Sequence, residues 1–216
     1  KANISASVTG ADAGTYTNTI QGVTIGKTID DSDTYVVEKI IDGSMKIKPK
    51  AVTVTGVDDS KVYGEDDPAE FTATVAGNLN NDVITYTVSR EAGENVGHYA
   101  VIPTGAASQG NYSVSYVNGD FEITKATTTL DVTGYNGTYD AESHGLTVVP
   151  AVTEGTTITY STDDGETWTS EVPTITNVGS QTYKVKASNA NYEDVIEEAT
   201  LAVTAKAVTV TGVDDS

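Results

Sequence analysis

The chain has 216 residues, 38% of them hydrophobic, and a formal net charge of −19 at pH 7. So acidic a chain repels nucleic acid and anionic lipid, which argues against partners of either kind. Cysteine is absent, which excludes disulfides and thiol chemistry. No apolar run reaches the roughly 18 residues of a membrane helix, so we expect no membrane insertion. Lys1 does not begin a signal peptide, and we expect the sequence to be a piece of a longer protein.

From the first residues onward, the hydrophobic pattern has a period of two. Runs such as AVTVTGV, FTATVAG, VITYTVS and YSVSYV alternate β-forming residues on two faces, and no window of a dozen residues has a period of 3.6. Asp42-Gly43 and Asn118-Gly119 stand between such runs and predict type I′ hairpin turns, with positive φ at both positions. The sequence therefore predicts an all-β fold: tandem small immunoglobulin-like β-sandwich modules in an elongated rod.

Internal repeats divide the chain into modules. The word KAVTVTGVDDS at Lys50–Ser60 returns without a mismatch at Lys206–Ser216, which indicates a recently duplicated unit in the parent protein. Weaker repeats give residues 1–49 as the C-terminal half of a module, 50–125 and 126–205 as two whole modules, and 206–216 as the start of the next repeat. No linker rich in Pro, Gly or Ser separates them, so we expect short, stiff joints between neighbouring repeats of the same chain.

Two tyrosines recur from module to module. The words DAGTYTNTI, NVGHYAVI and NVGSQTYKV place Tyr16, Tyr99 and Tyr183 after a glycine. This arrangement resembles the tyrosine corner of immunoglobulin-like sandwiches, in which the hydroxyl bonds a backbone group a few residues upstream. A second tyrosine follows downstream in each module, as Tyr35, Tyr112 and Tyr192. A tyrosine that recurs in this way is predicted to pack at the core edge.

Three words in residues 50–125 carry a family resemblance. They are KVYGEDDPAEFTATVAG at Lys61–Gly77, VSREAGENVGHYAV at Val88–Val101 and GNYSVSYVNGDFEITKA at Gly110–Ala126. This module resembles the MBG repeat of the Tyr-Gly type, which occurs in tandem in very large bacterial surface proteins. Residues 1–49 resemble the last half of such a repeat, and residues 126–205 resemble a related bacterial immunoglobulin-like repeat. The resemblance implies an extracellular bacterial surface protein, attached to the cell wall or secreted, and a stalk or adhesin rather than an enzyme.

The stretch STDDGETW at Ser161–Trp168 fits the Asp-box pattern Ser-x-Asp-x-Gly-x-Thr-Trp of sialidase propellers. In such a hairpin the Asp accepts backbone N–H bonds across the turn, the Gly takes positive φ and the Trp packs beneath. Sialidase chemistry also needs an arginine cluster and a tyrosine nucleophile. The chain has one arginine, Arg90, and one such hairpin. We therefore predict a structural turn, and we assign no catalytic residue.

Acidic loops are the candidates for a metal site. Ca²⁺ binds six to eight oxygens, which neighbouring carboxylates and loop carbonyls can supply. The candidate ligands of a structural Ca²⁺ are Asp58, Asp59, Glu65, Asp66, Asp67 and Asp163, with a further acidic run at Asp30–Asp33. None fits an EF-hand loop, and acidic loops are also commonly just solvated. His98 and His144 lack metal-ligand spacing and are expected to be loop or surface histidines. No other cofactor is predicted.

Trp168 is the candidate ligand-binding residue, because an exposed aromatic face can stack on a sugar ring. The alternative is that it packs under its own hairpin, since burial is the commoner use of a tryptophan. The leading functional hypothesis is a stalk or spacer segment that holds a distal functional domain away from the cell wall. The alternative is an adhesin module that binds host glycan or extracellular-matrix protein through residues 126–205. The environment of Trp168 discriminates between them.

Overall fold

The computed structural model describes residues 3–5, 8, 10–24, 39–79 and 81–212. All regular structure in these ranges is β-strand, which confirms the all-β prediction. The acidic run Asp30–Asp33 and Tyr35 lie outside the described residues. The strands are β1 (Asn3–Ser5), β2 (Gly14–Asn18), β3 (Gln21–Thr24), β4 (Gly43–Ile47), β5 (Lys50–Gly56), β6 (Asp59–Val62), β7 (Ala73–Ala76), β8 (Thr87–Arg90), β9 (Gly97–Thr104), β10 (Ser108–Gln109), β11 (Tyr112–Val117), β12 (Gly119–Thr124), β13 (Leu130–Thr133), β14 (Tyr135–Thr138), β15 (His144–Gly145), β16 (Thr147–Pro150), β17 (Thr157–Ser161), β18 (Thr174–Ile175), β19 (Gly179–Asn189) and β20 (Tyr192–Thr204).

The chain divides into two compact units, and the first comprises Lys1–Asp59, Ala69–Glu91 and Tyr99–Phe121. Its main sheet has the order β10-β11-β5-β7. Strand β5 runs parallel to β11, with Val54 opposite Tyr116, and antiparallel to β7. Strand β2 pairs with β4, and β8 with β9, both antiparallel. Alternate residues of β5 and β11 point inward, so the buried core cluster contains Val52, Val54, Ile84, Tyr112 and Val114. A further four-stranded sheet has the order β6-β12-β9-β8.

The second unit comprises Ser60–Pro68, Ala92–His98 and Glu122–Ser216. Its main sheet has the order β14-β20-β19-β17, and the long antiparallel pair β19–β20 forms its centre. Strand β14 runs parallel to β20, with Tyr135 opposite Leu201. The two-stranded sheet of β13 and β16 and the short pair of β15 and β18 complete the unit. The buried residues of its core cluster are Leu130, Tyr160, Val185 and Ala187.

The two predicted type I′ hairpins are wrong. Strands β11 and β12 lie in different sheets, and neither Asn118 nor Gly119 has positive φ. Glycine is required at 119 for a different reason, since a Cβ there would lie 2.5 Å from the Gly56 carbonyl oxygen. Positive φ is likewise absent at Asp42 and Gly43. There the Asp42 carboxylate accepts a hydrogen bond from the Ile20 backbone N–H at 3.0 Å, and Gly43 begins β4.

The tyrosine corner is confirmed at Tyr16, whose hydroxyl donates a hydrogen bond to the Asp12 carbonyl oxygen at 2.8 Å. In each of the three repeated words, two bend residues lead into a strand that begins at the glycine. We call residues 12–14, 95–97 and 177–179 the first, second and third corners. They precede β2, β9 and β19 respectively. Each corner thus stands where the chain enters a partly buried strand.

Candidate functional site: the acidic hairpin and the corner asparagines

The hairpin at residues 161–168 is held by one carboxylate. Asp163 accepts hydrogen bonds from the Ser161 hydroxyl at 2.6 Å, the Thr167 backbone N–H at 2.9 Å and the Thr167 hydroxyl at 2.5 Å. The buried Ser161 hydroxyl also accepts from the Gly165 N–H at 2.9 Å. Asp164 and Gly165 have φ of 64° and 93°, in the left-handed region. These bonds confirm the predicted Asp-box-like turn.

The hydrogen bonds to Asp163 predict a response to acid. The Ser161 hydroxyl, followed by the Thr167 hydroxyl and N–H, stabilises the carboxylate and lowers the pKa of Asp163 from 3.8 to about 2. A folded-state pKa below the unfolded value contributes stability above pH 4, which is lost as the pH falls through 2. We expect Trp168 fluorescence to report loosening of the hairpin between about pH 4 and pH 2. Asp163→Asn is the control, because it removes the titrating group. An identical acid profile in both proteins would contradict the assignment.

Trp168 is half-buried, and its contacts belong to its own hairpin and sheet. Its indole N–H donates to the Gly165 carbonyl oxygen at 3.0 Å. The Lys186 ammonium lies 4.5 Å from the ring centroid, within the range of a cation–π contact. The adjacent cavity, bounded in part by Tyr183 and Glu171, measures about 120 Å³. Ligand pockets usually measure roughly 300–1,000 Å³, so Trp168 does not stand in a pocket of that kind.

A larger depression of about 310 Å³ lies in the first unit. Its lining consists of Thr85, Tyr86, Thr87, Thr104, Gly105, Ala106 and Gln109. The Gln109 amide is already engaged, because it donates to the Thr85 carbonyl oxygen at 2.8 Å and to the Tyr116 hydroxyl at 3.2 Å. The lining holds no carboxylate, histidine or lysine, so it lacks the acid, base and nucleophile pairs that characterise an active site.

The six candidate calcium ligands have separate roles in the structure. Asp58 accepts the Asp120 backbone N–H at 2.8 Å, Glu65 accepts the Val62 N–H at 3.1 Å and Asp67 accepts the Lys61 ammonium at 2.7 Å. Asp163 holds its own hairpin, Asp59 begins β6 and Asp66 is exposed. Within residues 3–5, 8, 10–24, 39–79 and 81–212, no three His, Asp or Glu side chains form a group that could hold a metal ion. The calcium site therefore stays a prediction for which the structure assembles no ligand set.

His144 has a packing role that sequence analysis missed. Its ring stacks on Tyr135 with centroids 3.6 Å apart and an interplanar angle of 5°. Its Nε2 lies 3.1 Å from both carboxylate oxygens of Asp140. The pKa of Asp140 is lowered, first by the Glu142 backbone N–H and then by His144. The sequence pattern does not predict this role, because stacking on a residue nine positions away depends on how β14 and β15 are placed in the fold.

Asn111 ties the first corner to the start of β11. Its side-chain oxygen accepts the Ala13 backbone N–H at 2.6 Å, and its amide donates to the Asp12 carboxylate at 2.8 Å. Its backbone carbonyl accepts the N–H of Lys50, the first residue of β5, at 2.8 Å. One residue thus binds the corner of one predicted module and the first strand of the next.

Asn191 repeats this arrangement at the second corner. Its side-chain oxygen accepts the Val96 N–H at 2.9 Å, and its amide donates to the Asn95 side-chain oxygen at 3.0 Å. Its backbone carbonyl accepts the Ala126 N–H at 3.1 Å. We call Asn111 and Asn191 the corner asparagines. Sequence analysis recorded the tyrosine that follows each of them and missed the asparagine, although the word Asn-Tyr recurs in both modules.

One family model matches the central segment of the chain. Residues 52–122 match the MBG domain (YGX type). The resemblance stated for residues 50–125 is therefore confirmed. MBG domains are typically non-catalytic structural modules, and a match to one beside an internal sequence repeat is typical of an extracellular repeat module. No curated protein matches the chain.

The Tyr-Gly word of the MBG domain stands at the turn after β6. Gly64 has a φ of 87°, and the Glu65 N–H donates to the Val62 carbonyl oxygen at 3.1 Å. Tyr63 packs edge-on against Tyr192, with centroids 5.4 Å apart and an interplanar angle of 74°. Such aromatic pairs contribute about 0.5–1.5 kcal/mol beyond their burial. The word therefore forms a tight turn that presents a tyrosine next to a corner asparagine.

Lys61, also in the MBG domain, holds the loop before the second corner. Its side chain is 5% exposed, and its ammonium lies 2.7 Å from the Asp67 carboxylate and 2.5 Å from that of Glu94. The hydrogen bond to Asp67, followed by the one to Glu94, raises the pKa of Lys61. The geometry therefore shows an ion pair between Lys61 and the two carboxylates. Glu94 directly precedes Asn95, so the ion pair also positions the second corner.

Solved structures of cadherin domains and immunoglobulin repeats are similar to the chain at low identity. Protocadherin gamma B7 domains 1–4 are 9% identical with a TM-score of 0.29, covering 78% of this chain and 55% of that one. Drosophila N-cadherin EC1–4 is 7% identical with a TM-score of 0.28, covering 88% and 58%. The tandem Ig repeats of Dlar are 12% identical with a TM-score of 0.26, covering 74% and 100%. The chain thus spans a little over half of each cadherin chain. Nothing helical in the described ranges has the length and hydrophobicity to span a membrane.

Proposed function

We propose that the chain is a stalk segment of a repetitive bacterial surface protein, which holds a distal functional domain away from the cell wall. The observation that carries this proposal is the repeated joint. At both corner asparagines, three matching hydrogen bonds connect the corner of one predicted module with the Asn-Tyr word and the first residue, Lys50 or Ala126, of the next. A joint built the same way twice is typical of a repeat that extends by stacking.

The direct connection between modules also supports a stalk. Strand β12 ends at Thr124, and Ala126 already bonds Asn191. The intervening Lys125 ammonium donates to the Asn189 carbonyl oxygen at 3.4 Å. With only Lys125 between these bonded residues, the connection is too short to act as a flexible linker. The net charge of −19 would keep neighbouring stalks apart by electrostatic repulsion.

The alternative is an adhesin that binds host glycan or matrix protein through residues 126–205. It requires an aromatic face that is available to a ligand. Trp168 instead bonds Gly165, lies under the Lys186 ammonium and borders a cavity of only about 120 Å³. These contacts favour the spacer over the adhesin. We propose no catalytic role, because the lining of the larger depression holds no carboxylate, histidine or lysine, and the Ser161 hydroxyl beside Trp168 is engaged by Asp163 and the Gly165 N–H.

Binding of the chain to an array of glycans and extracellular-matrix proteins separates the two functions. The array is probed with the wild-type chain and with Trp168→Ala, each with Ca²⁺ present and with Ca²⁺ chelated. We expect no dose-dependent signal from either protein in either condition. A signal that Trp168→Ala abolishes would make residues 126–205 an adhesin module. A signal that chelation abolishes would instead support the calcium site that the acidic loops predict.

A further inference from the structure

The third corner has the same local structure as the second, but in the described part of the chain no corner asparagine is hydrogen-bonded to it. Both corners have the word Asn-Val-Gly, at residues 95–97 and 177–179, with two bends followed by the first residue of a long strand. Val96 is half-buried where it bonds Asn191, and Ala13 is half-buried at the first corner. Val178 is 58% exposed. In the part of the chain that the structure describes, neither the Asn177 amide nor the Val178 N–H makes a hydrogen bond.

The segment after β20 also exposes apolar side chains. Residues 206–212 repeat the β5 sequence KAVTVTG, in which Val52 and Val54 are 1% and 0% exposed. In the second copy, Val208 and Val210 are 84% and 90% exposed. The buried copy pairs with β7 and β11 along its two edges, and Asn111 directly precedes β11. A strand that paired with the second copy as β11 pairs with β5 would therefore bring a counterpart of Asn111 with it.

We propose that the third corner is the docking site for the corner asparagine of a following repeat. The occupant is a second copy of residues 50–125 that continues from Lys206–Ser216. Its counterpart of Asn111 accepts the Val178 N–H through the side-chain oxygen and donates its amide to the Asn177 side-chain oxygen. This joint has the geometry of the second corner, where Asn191 bonds Val96 and Asn95 in the same way. The inference rests on the proposed stalk function and specifies how the stalk is extended.

The test compares hydrogen exchange of two backbone amides in two proteins. The first protein is the chain of 216 residues, and the second carries a copy of residues 61–125 after Ser216, which completes the second repeat. In the first protein we expect the Val96 amide to be protected and the Val178 amide to exchange at least about tenfold faster. In the extended protein, protection at Val178 should rise about tenfold toward that of Val96.

Asn111→Ala in the appended copy should abolish the gain at Val178 while the strand amides of that copy remain protected. Equal protection of Val96 and Val178 in the chain of 216 residues would overturn the proposal, even if the appended copy failed to fold. The proposal would also be overturned if the exchange rate of the Val178 amide were unchanged in an extended protein whose appended copy is folded. If Val178 stays unprotected while Val96 is protected through Asn191, the docking proposal fails and the stalk survives. If Val96 is also unprotected, the joint on which the stalk depends fails as well.

Discussion

Val54→Ala is expected to lower the free energy of unfolding by about 2–3 kcal/mol, whereas Val210→Ala should change it by less than about 0.5 kcal/mol. The two valines occupy the same position in identical eleven-residue words. Val54 is fully buried between strands β7 and β11, so removing its methyl groups leaves a cavity. Val210 is 90% exposed and has no such packing to lose. Burial alone therefore predicts the difference.

Urea denaturation followed by circular dichroism measures both effects. The pair is closely controlled, because the local sequence, the strand propensity and much of the denatured-state contribution are the same at the two sites. Each variant changes one valine to alanine at the fourth residue after the same lysine. Losses of equal size at positions 54 and 210 would show that residues 206–212 are packed as a core strand in solution.

Asn191→Ala is expected to cost about 1–3 kcal/mol in the free energy of unfolding, because it leaves the half-buried Val96 N–H without an acceptor. It also removes the donor to the Asn95 side-chain oxygen. The bond from Ala126 to the Asn191 carbonyl does not involve the side chain and should persist. Loss of protection at the Val96 amide in hydrogen exchange would locate the damage at the second corner.

Asn177→Ala is a control at a corner that lacks the joint. Asn177 stands at the third corner, in the same word as Asn95 but without a corner asparagine, and it is exposed. We expect its substitution to change the free energy of unfolding by less than about 0.5 kcal/mol. Asn191→Asp keeps the acceptor for the Val96 N–H and loses the donor to Asn95. Its loss in the free energy of unfolding should therefore lie between those of Asn191→Ala and Asn177→Ala. If Asn191→Ala were as mild as Asn177→Ala, the corner asparagines would not hold the joints.

Much of the local structure could be predicted from sequence. Alternation of β-formers gave the all-β class, since successive side chains of a strand point to opposite faces. The word at Asp12–Tyr16 gave a tyrosine corner, and STDDGETW gave an Asp163-centred hairpin, because each depends on bonds within about five residues. The prediction failed where a local word was compatible with two structures. Asn118-Gly119 suits a hairpin turn, yet it connects two sheets, because β12 pairs with β6 and β9 rather than with β11.

The corner asparagines lay beyond the reach of local patterns. Asn111 bonds Ala13 at a separation of 98 residues, and Asn191 bonds Val96 at a separation of 95. The parallel pairing of β5 with β11 is equally non-local, since it joins the two ends of the MBG domain. Periodicity shows which face of a strand is buried, but it carries no information about which strand lies beside it.

The repeated word KAVTVTGVDDS separates what the local sequence determines from what the tertiary structure determines. The sequence by itself determined its alternation, its preference for an extended backbone and the repeat boundary at Lys206. Only the tertiary structure decided that Val52 and Val54 are core residues, while the same valines at 208 and 210 are exposed. The physical reason is that a strand must hydrogen-bond both of its backbone edges and bury its apolar face against other residues. In the first copy, β7 and β11 pair with the two edges, and residues such as Ile84 and Tyr112 pack on the valines. The eleven residues of the word cannot encode those neighbours.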